Sequence, residues 1–299
     1  MGVIVSEWPG GRDADEVDPR RPGSLATWLR PYRAIVAARV RMLLQYRAAA
    51  LAGFGTQLFW GLIKVMVLVA FFESASSPPP MNLAQVLVYV WLGQALLGLL
   101  PWNVDAEIAG HIRSGGVAYE LLRPLDLYGF WYARTLAFRA APTLLRMIPM
   151  LLFAYFGLPV VGLGEWALPF PDSPASGALF LVSALLTLLL STAITMVLHV
   201  SLIWTLSGEG FNRLMLGVVP VFSGLVVPLP LFPEWLQPLL WWQPFRGLAD
   251  VPFRIYSGHI PVTEALLELA MQAVWSVLVI GFGLWLLRVA SRRVEVQGG

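Results

Sequence analysis

The segment DAEIAGHIRSGGVAYELLRPLDLY, from Asp105 to Tyr128, is one of the few charge-rich stretches in an otherwise apolar chain. It lies between two segments that are long enough to cross a bilayer, since a helix needs about 20 apolar residues to span roughly 30 Å of hydrocarbon. We therefore predict a cytoplasmic loop on which a soluble partner docks. We call Asp105 to Tyr128 the docking element.

The composition places the rest of the chain in a membrane. Hydrophobic residues make up 58% of the 299 residues and charged residues 13%, whereas soluble domains carry about 25% charged residues. The mean hydropathy is +0.70. These values exclude an ordinary soluble domain and predict an all-α, polytopic membrane protein. Because the sequence has no cysteine, disulfides and thiolate metal sites are excluded as well.

The N-terminal part divides into two segments. Residues 1–27 form a polar leader without an apolar signal sequence, and we expect it to be disordered in the cytoplasm. From Trp28 to Arg47 the pattern is that of an amphipathic helix lying at the cytoplasmic headgroup surface, where anionic lipids attract arginine. The alternative is that this segment is only the flank of the first span. The arginines concerned are Arg30, Arg33, Arg39 and Arg41, of which Arg39 interrupts the apolar stripe.

Six membrane spans are predicted in the remaining domain, residues 28–299. They lie at about residues 50–72, 83–102, 140–161, 177–206, 214–227 and 265–287, and the helix of the third span can begin as early as Asp126. With the N-terminus inside, 17 of the 19 arginines fall on cytoplasmic segments or their flanks, and only Arg246 and Arg254 lie outside. The positive-inside rule therefore predicts that both termini are cytoplasmic.

The segment from Pro228 to Pro261, which we call the outer segment, contains seven prolines and many aromatic residues. It is too interrupted by proline to cross the membrane as one helix, and too apolar to be an ordinary solvated loop. We predict short re-entrant helices that cap the membrane domain on the outside, although a simple belt of interfacial tryptophans is the alternative. The aromatic residues assigned to this outer gate are Phe232, Trp235, Trp241, Trp242 and Phe245.

Within the docking element, the predicted order is helix, break and short helix. Asp105 and Glu107 can continue the helix of the second span out of the membrane, and the sequence Ser-Gly-Gly at 114–116 then breaks it. Val117 to Leu122 forms a turn or two of helix, and Asp126 caps the helix that follows. The residues predicted to contact a partner are Val117, Tyr119, Glu120, Leu121, Leu122, Arg123 and Pro124. A tight intracellular turn without a partner is the alternative.

The sequence carries no catalytic or metal-binding pattern. A phosphate-binding GxxxxGK[ST] loop is impossible, because the only lysine, Lys64, follows Ile63. Histidines and carboxylates do not have the spacing of a metal site or of a membrane hydrolase. An ion-coupled carrier would need carboxylates at mid-membrane, and we find none well inside a predicted span.

Lys64 and His199 are the ionisable residues expected deepest in the bilayer. Such groups are candidates for a transport pathway. The alternatives are that Lys64 snorkels or pairs across a subunit interface, and that His199 is a hydrogen-bonded packing residue.

Three stretches resemble the permease subunits of ABC exporters of the ABC-2 type. They are VWLGQALLGLLPW at 90–102, EIAGHIRSGGVAYELLRPLDLYGFWYAR from Glu107, and SGLVVPLPLFPEWLQPLLWWQPF at 223–245. The resemblance covers nearly everything from Trp28 onward, is strongest to the branch in which one ATPase serves two unlike permeases, and is most specific at 121–125. It implies a coupling helix at 117–125, a connecting helix at 28–47 and re-entrant helices at 232–256.

The same resemblance implies partners and a mechanism. An ABC ATPase subunit, present in two copies, would bind MgATP, so this chain would be non-catalytic and carry no cofactor of its own. A second, related permease or a second copy of this chain would complete the membrane part in a bacterial cytoplasmic membrane, with no nucleic acid involved. ATP would move the coupling helices, and a substrate would leave outward. A drug-like amphiphile, an organic cation, a lipid and a peptide are all compatible with the sequence. A membrane scaffold that transports nothing would not need the aromatic outer segment.

Overall fold

A computed structural model describes residues 25–45, 47–74, 79–205 and 209–291. In this part of the chain all regular structure is helical. Most of the predicted leader, and most of the proline turn at 76–80, lie outside the described residues. The α-helices are α1 (Leu25–Leu43), α2 (Arg47–Ser74), α3 (Leu83–Ala95), α4 (Ala106–Arg113), α5 (Val117–Leu121), α6 (Leu127–Leu152), α7 (Leu158–Val160), α8 (Pro174–Thr205), α9 (Glu209–Phe222), α10 (Gln237–Trp242), α11 (Asp250–Tyr256) and α12 (Val262–Ser291).

Four of the six predicted spans are helices that are long and apolar enough, among the described residues, to cross a membrane. They are Ala52–Ser74, Leu127–Val160, Pro174–Trp204 and Val262–Ser291. The second of these combines α6 and α7 through a π-helical turn at Phe153–Gly157. The other two predicted spans are shorter apolar helices, at Leu83–Ala95 and Gly210–Phe222.

The helix of the third span begins at Leu127, which is the early start that the sequence allowed. The Asp126 side chain accepts a hydrogen bond from the Gly129 amide at 2.7 Å, so the predicted cap is confirmed. The expectation that Asp105 and Glu107 continue the helix of the second span is wrong. That helix ends at Ala95, and Asp105 instead caps α4 by accepting from the Glu107 amide at 2.9 Å.

Helix α8 lies at the centre of the fold. Of its most apolar stretch 56% is buried, compared with 17% for Ala52–Ser74 and 22% for Val262–Ser291. Its buried residues include small hydroxyl side chains, which allow close packing and bond to neighbouring backbone. The Thr187 hydroxyl donates to the carbonyl of Gly247 at 2.9 Å, and the Ser191 hydroxyl donates to the carbonyl of Leu99. The other long helices present apolar side chains outward, such as Phe59 on α2 and Val277 on α12.

The short helices predicted between the fifth and sixth of the predicted spans are present. Besides α10 and α11, 3₁₀ turns lie at Leu229–Leu231, Glu234–Leu236 and Pro244–Leu248. Two glutamine side chains bond the backbone carbonyls of this proline-interrupted segment. Gln237 Nε2 donates to the carbonyls of Leu229 and Phe232, both at 2.9 Å. Gln243 Nε2 donates to the carbonyl of Phe222 at 2.8 Å, which ties α10 to the end of α9.

Candidate coupling site

The docking element folds as two short helices separated by a glycine turn. Helix α4 ends at Arg113, and Gly115 has a φ of 73°, a conformation that favours glycine because it has no Cβ. Helix α5 begins two residues later and ends at Leu121. The break predicted at residues 114–116 is therefore confirmed.

The tip of the docking element exposes large apolar side chains. Tyr119 is 79% exposed, Leu121 is 54% exposed and Leu122 is 81% exposed. Arg123 and Pro124 are exposed as well, whereas Val117 is half-buried and packs against the apolar cluster around Ile108, Trp131 and Met196. Five of the seven predicted contact residues thus lie on an accessible surface.

Glu120 points into the protein, although we predicted it among the contact residues. It is 3% exposed, and its carboxylate accepts hydrogen bonds from three side chains. These donors are His111 Nδ1 at 2.8 Å, Trp131 Nε1 at 2.6 Å and Arg134 Nη1 at 3.2 Å. The carboxylate therefore attaches α5 to both α4 and α6.

A chain of ion pairs continues from Glu120 to the N-terminal helix. Arg134 Nη2 lies 2.7 Å from Glu107 Oε1, and Arg39 pairs with the other oxygen of Glu107. Arg39 Nη2 also lies 3.0 Å from Asp105 Oδ2. The arginine that interrupts the apolar stripe of α1 thus joins α1 to the docking element, whereas Arg30, Arg33 and Arg41 are exposed.

His199 is fully buried in α8 and contacts the start of the docking element. Its Nε2 accepts a hydrogen bond from the Asp105 amide at 2.9 Å, and its Nδ1 lies 3.5 Å from Thr135 Oγ1 on α6. Lys64 on α2 donates to the carbonyl of Leu225 at 3.3 Å, just before the outer segment. Both contacts are of the kind expected for packing residues. A role of either residue in a pathway stays a prediction.

A second polar cluster lies at the opposite end of the helices, where α11 packs against α3 and α8. Asp250 is 1% exposed. Its carboxylate accepts from the Tyr89 hydroxyl at 2.5 Å and from Arg254 Nη1 at 3.4 Å. Arg246 lies 3.9 Å from the same carboxylate and 2.9 Å from Glu268 on α12. Charged groups of the outer segment thus attach it to α3 through Asp250 and to α12 through Arg246.

Two side chains near this cluster have shifted pKa values. Burial, and then the charge of Arg254, lower the pKa of His259 below its ordinary value. Its neutral ring accepts from Arg254 Nε at 3.0 Å through Nδ1 and contacts the carbonyl of Pro80 at 3.4 Å through Nε2. Burial raises the pKa of the Tyr256 hydroxyl, as does its hydrogen bond with Tyr155.

Sequence reasoning missed two carboxylates, those of Asp250, which is buried, and Glu268, which is half-buried. Glu268 lies in the second turn of α12. The proline-rich segment around Asp250 was predicted to cap the membrane domain, but its spacing gave no sign of which residues the Asp250 carboxylate would contact. Each carboxylate has an arginine partner, which is the usual arrangement of ionisable groups in membrane domains. Among the described residues, no group of three or more histidines and carboxylates is arranged to hold a metal ion.

Comparison with known proteins connects this geometry to a family. The chain matches the family described as ABC-2 family transporter protein over residues 58–298, which is most of its length. It is also 27% identical over 138 residues to proteins named Probable multidrug ABC transporter permease YbhR in Escherichia coli strain K12 and in Escherichia coli O157:H7. Each alignment covers 45% of this chain but 35% of the relative, so the chain spans only about a third of the length of these relatives.

Proposed function

The chain belongs to the ABC-2 family of transporter proteins, and on that premise we propose that it is the permease subunit of an ATP-driven ABC exporter. A separate ABC ATPase, present in two copies, binds MgATP and hydrolyses it, while this chain is non-catalytic. The transported substrate is amphiphilic and moves outward across a bacterial cytoplasmic membrane. A second, related permease or a second copy of this chain completes the membrane domain.

The observation that carries the proposal is that successive side chains at the tip of the docking element alternate between exposed and buried positions. Tyr119, Leu121 and Leu122 point outward, while Glu120 between them is held inside by three hydrogen bonds. Exposed apolar patches on a well-ordered surface mark sites of protein contact. A short helix that is anchored on one side and apolar on the other suits docking to an ATPase.

The anchoring also supplies a route from the ATPase to the membrane helices. Glu120 bonds α6 directly, and the pairs of Arg39 bond α1. His199 joins the same element to α8, the most buried helix. A displacement of α5 by the ATPase is therefore passed on to three helices at once. ATP binds the ATPase, and it shifts the whole complex between two arrangements only by the difference between its binding free energies for the two.

We propose six spans with both termini in the cytoplasm. Helix α3 and the turn at Leu97–Leu99 together cover residues 83–99, which is about 25 Å at helical rise and close to the hydrocarbon thickness. Helix α9 supplies the other short span. In this arrangement α1 lies at the inner headgroup surface with Arg30 and Arg33 toward anionic lipid. The outer segment, with Trp241 and Trp242 exposed, closes the opposite end as a re-entrant gate.

A double substitution at the docking surface tests the proposal. In the Leu121→Asp, Leu122→Asp variant, two carboxylates replace the exposed apolar contact, so ATP hydrolysis no longer drives export although the protein remains in the membrane. The measurements are recovery of a Walker-motif ATPase with the tagged permease, and ATP-dependent movement of a fluorescent amphiphile into inverted vesicles. Ser114→Asp is the matched control, because it adds a charge at an exposed position of the same loop outside the apolar tip. Normal export by the double variant would refute the docking assignment.

A further inference from the structure

A cavity of about 680 Å³ lies between the outer segment and the beginning of α12. It is formed by α10, by the turn and helix that contain Arg246 and Arg254, and by the first two turns of α12. Its size falls within the range of about 300 to 1,000 Å³ that is typical of small-molecule sites. We call it the outer cavity.

The charged side chains that line the outer cavity carry an excess of negative charge. They are the carboxylates of Glu234, Asp250, Glu264 and Glu268 and the guanidinium groups of Arg246 and Arg254. Among these lining groups, four carboxylates against two guanidinium groups give an excess of two negative charges. This excess attracts cations into the cavity and repels anions.

The uncompensated charge can be assigned to particular residues. Both arginines contact Asp250, and Arg246 also contacts Oε1 of Glu268. Within the described residues, Oε2 of Glu268 has no hydrogen-bond partner although it is buried. Glu234 and Glu264 are exposed at the same cavity and take part in none of these pairs. The free acceptors therefore lie on α12 and on the turn before α10.

Two tryptophans complete the wall. Trp241 and Trp242 line the outer cavity with their rings edge to face, 4.7 Å between centroids. Arg246 already lies over Trp241 at 5.6 Å, so this ring system binds a cation of the protein itself. Trp242 is 64% exposed and offers a further ring surface. A cation with an apolar body can therefore contact both a carboxylate and an aromatic ring in the outer cavity.

We propose that the outer cavity binds an organic cation with an aromatic or otherwise apolar body. The inference rests on the proposed function, and within it assigns the transported amphiphile to the cationic class. The carboxylates of Glu234, Glu264 and Glu268 attract the charge, and Trp242 packs on the apolar part. On the outer face such a site holds the substrate after it has passed the membrane and before it is released.

A pair of ions with the same shape and opposite charge tests the proposal. The full-length permease is purified in detergent, and binding of tetraphenylphosphonium and of tetraphenylborate is measured by calorimetry against protein-free detergent. The cation is expected to bind about tenfold more tightly than the anion or better. Tetraphenylphosphonium binding weakens about fivefold in the Glu234→Gln, Glu264→Gln double variant and by a similar factor in Trp242→Ala.

Matched controls lie close by. Glu165→Gln removes an exposed carboxylate, and Trp235→Ala removes an exposed tryptophan of the same segment, and neither residue lines the outer cavity. Both controls are expected to bind like the natural protein. Equal affinity for the two ions, or unchanged binding of the cation by the double variant, would overturn the proposal. Since the measurement needs neither ATPase nor ATP, a permease that binds the cation but exports nothing would keep the site and refute the exporter function.

Discussion

At the residue scale, the carboxylate of Glu120 decides how firmly the docking element is held. It is the acceptor for donors on α4 and α6, and removing it leaves Trp131 and Arg134 facing a buried gap. Breaking a buried charged pair costs several kcal/mol because the remaining partner stays uncompensated. We expect Glu120→Ala to lower the free energy of unfolding by about 3 kcal/mol. Denaturant titration of the purified protein in mixed micelles measures this.

The controls separate charge from shape. Glu120→Gln keeps an acceptor oxygen but places an amide beside the same donors, so its loss of stability lies between that of the natural protein and that of Glu120→Ala. Glu165→Ala removes an exposed carboxylate and changes the free energy of unfolding by no more than about 0.5 kcal/mol. If Glu120→Ala were as stable as Glu165→Ala, the buried network would not hold the element.

At the scale of elements, α1 contacts mainly one other long helix, α6, within the described residues. It packs along α6, where the ring of Tyr32 lies so close to Gly129 that a side chain at position 129 would not fit. Its charged attachment is Arg39, which is 14% exposed and pairs with Asp105 and Glu107. We expect Arg39→Gln to speed amide hydrogen exchange across α1 by about tenfold or more, since the helix then opens locally with a lower free energy.

The same substitution elsewhere on the helix provides the comparison. Arg41 belongs to α1 but is exposed, so Arg41→Gln is expected to leave exchange across the helix unchanged. Exchange measured by mass spectrometry distinguishes the two variants peptide by peptide. If both variants exchanged alike, the apolar contact with α6 would hold α1 without help from the ion pairs.

The elements also show what the sequence can predict. Capping at Asp126 and the glycine turn near Gly115 are local signals, and the structure confirms both. The orientation of Glu120 could not be predicted, because a five-residue helix is too short to show an apolar period. The contact between Tyr89 and Asp250 joins residues 161 positions apart. Periodicity indicates which side of a helix is apolar, but it does not identify the distant partner of a polar group.

At the scale of the whole molecule, the two short apolar helices decide on which side of the membrane each loop lies. With the N-terminus inside and six spans, the docking element is cytoplasmic, while the loop at Gly164–Trp166 and the outer segment are both outside. If only the four long helices crossed, the docking element would share a side with the outer segment, and the loop at Gly164–Trp166 would lie inside. The arginine distribution favours six.

Because the natural sequence contains no cysteine, single cysteines can distinguish the two arrangements without background labelling. Tyr119→Cys and Trp235→Cys replace residues that are 79% and 78% exposed, so the two sites have equal access to a reagent. In intact cells we expect a membrane-impermeant maleimide to label Trp235→Cys and Glu165→Cys but not Tyr119→Cys, and in lysed cells to label all three. In the six-span arrangement α2 crosses outward and α3 crosses back, so the docking element lies on the cytoplasmic side. The bilayer then keeps the reagent away from Tyr119→Cys in intact cells. Labelling of Tyr119→Cys together with protection of Glu165→Cys in intact cells would instead establish four spans, and would place the proposed docking surface out of reach of a cytoplasmic ATPase.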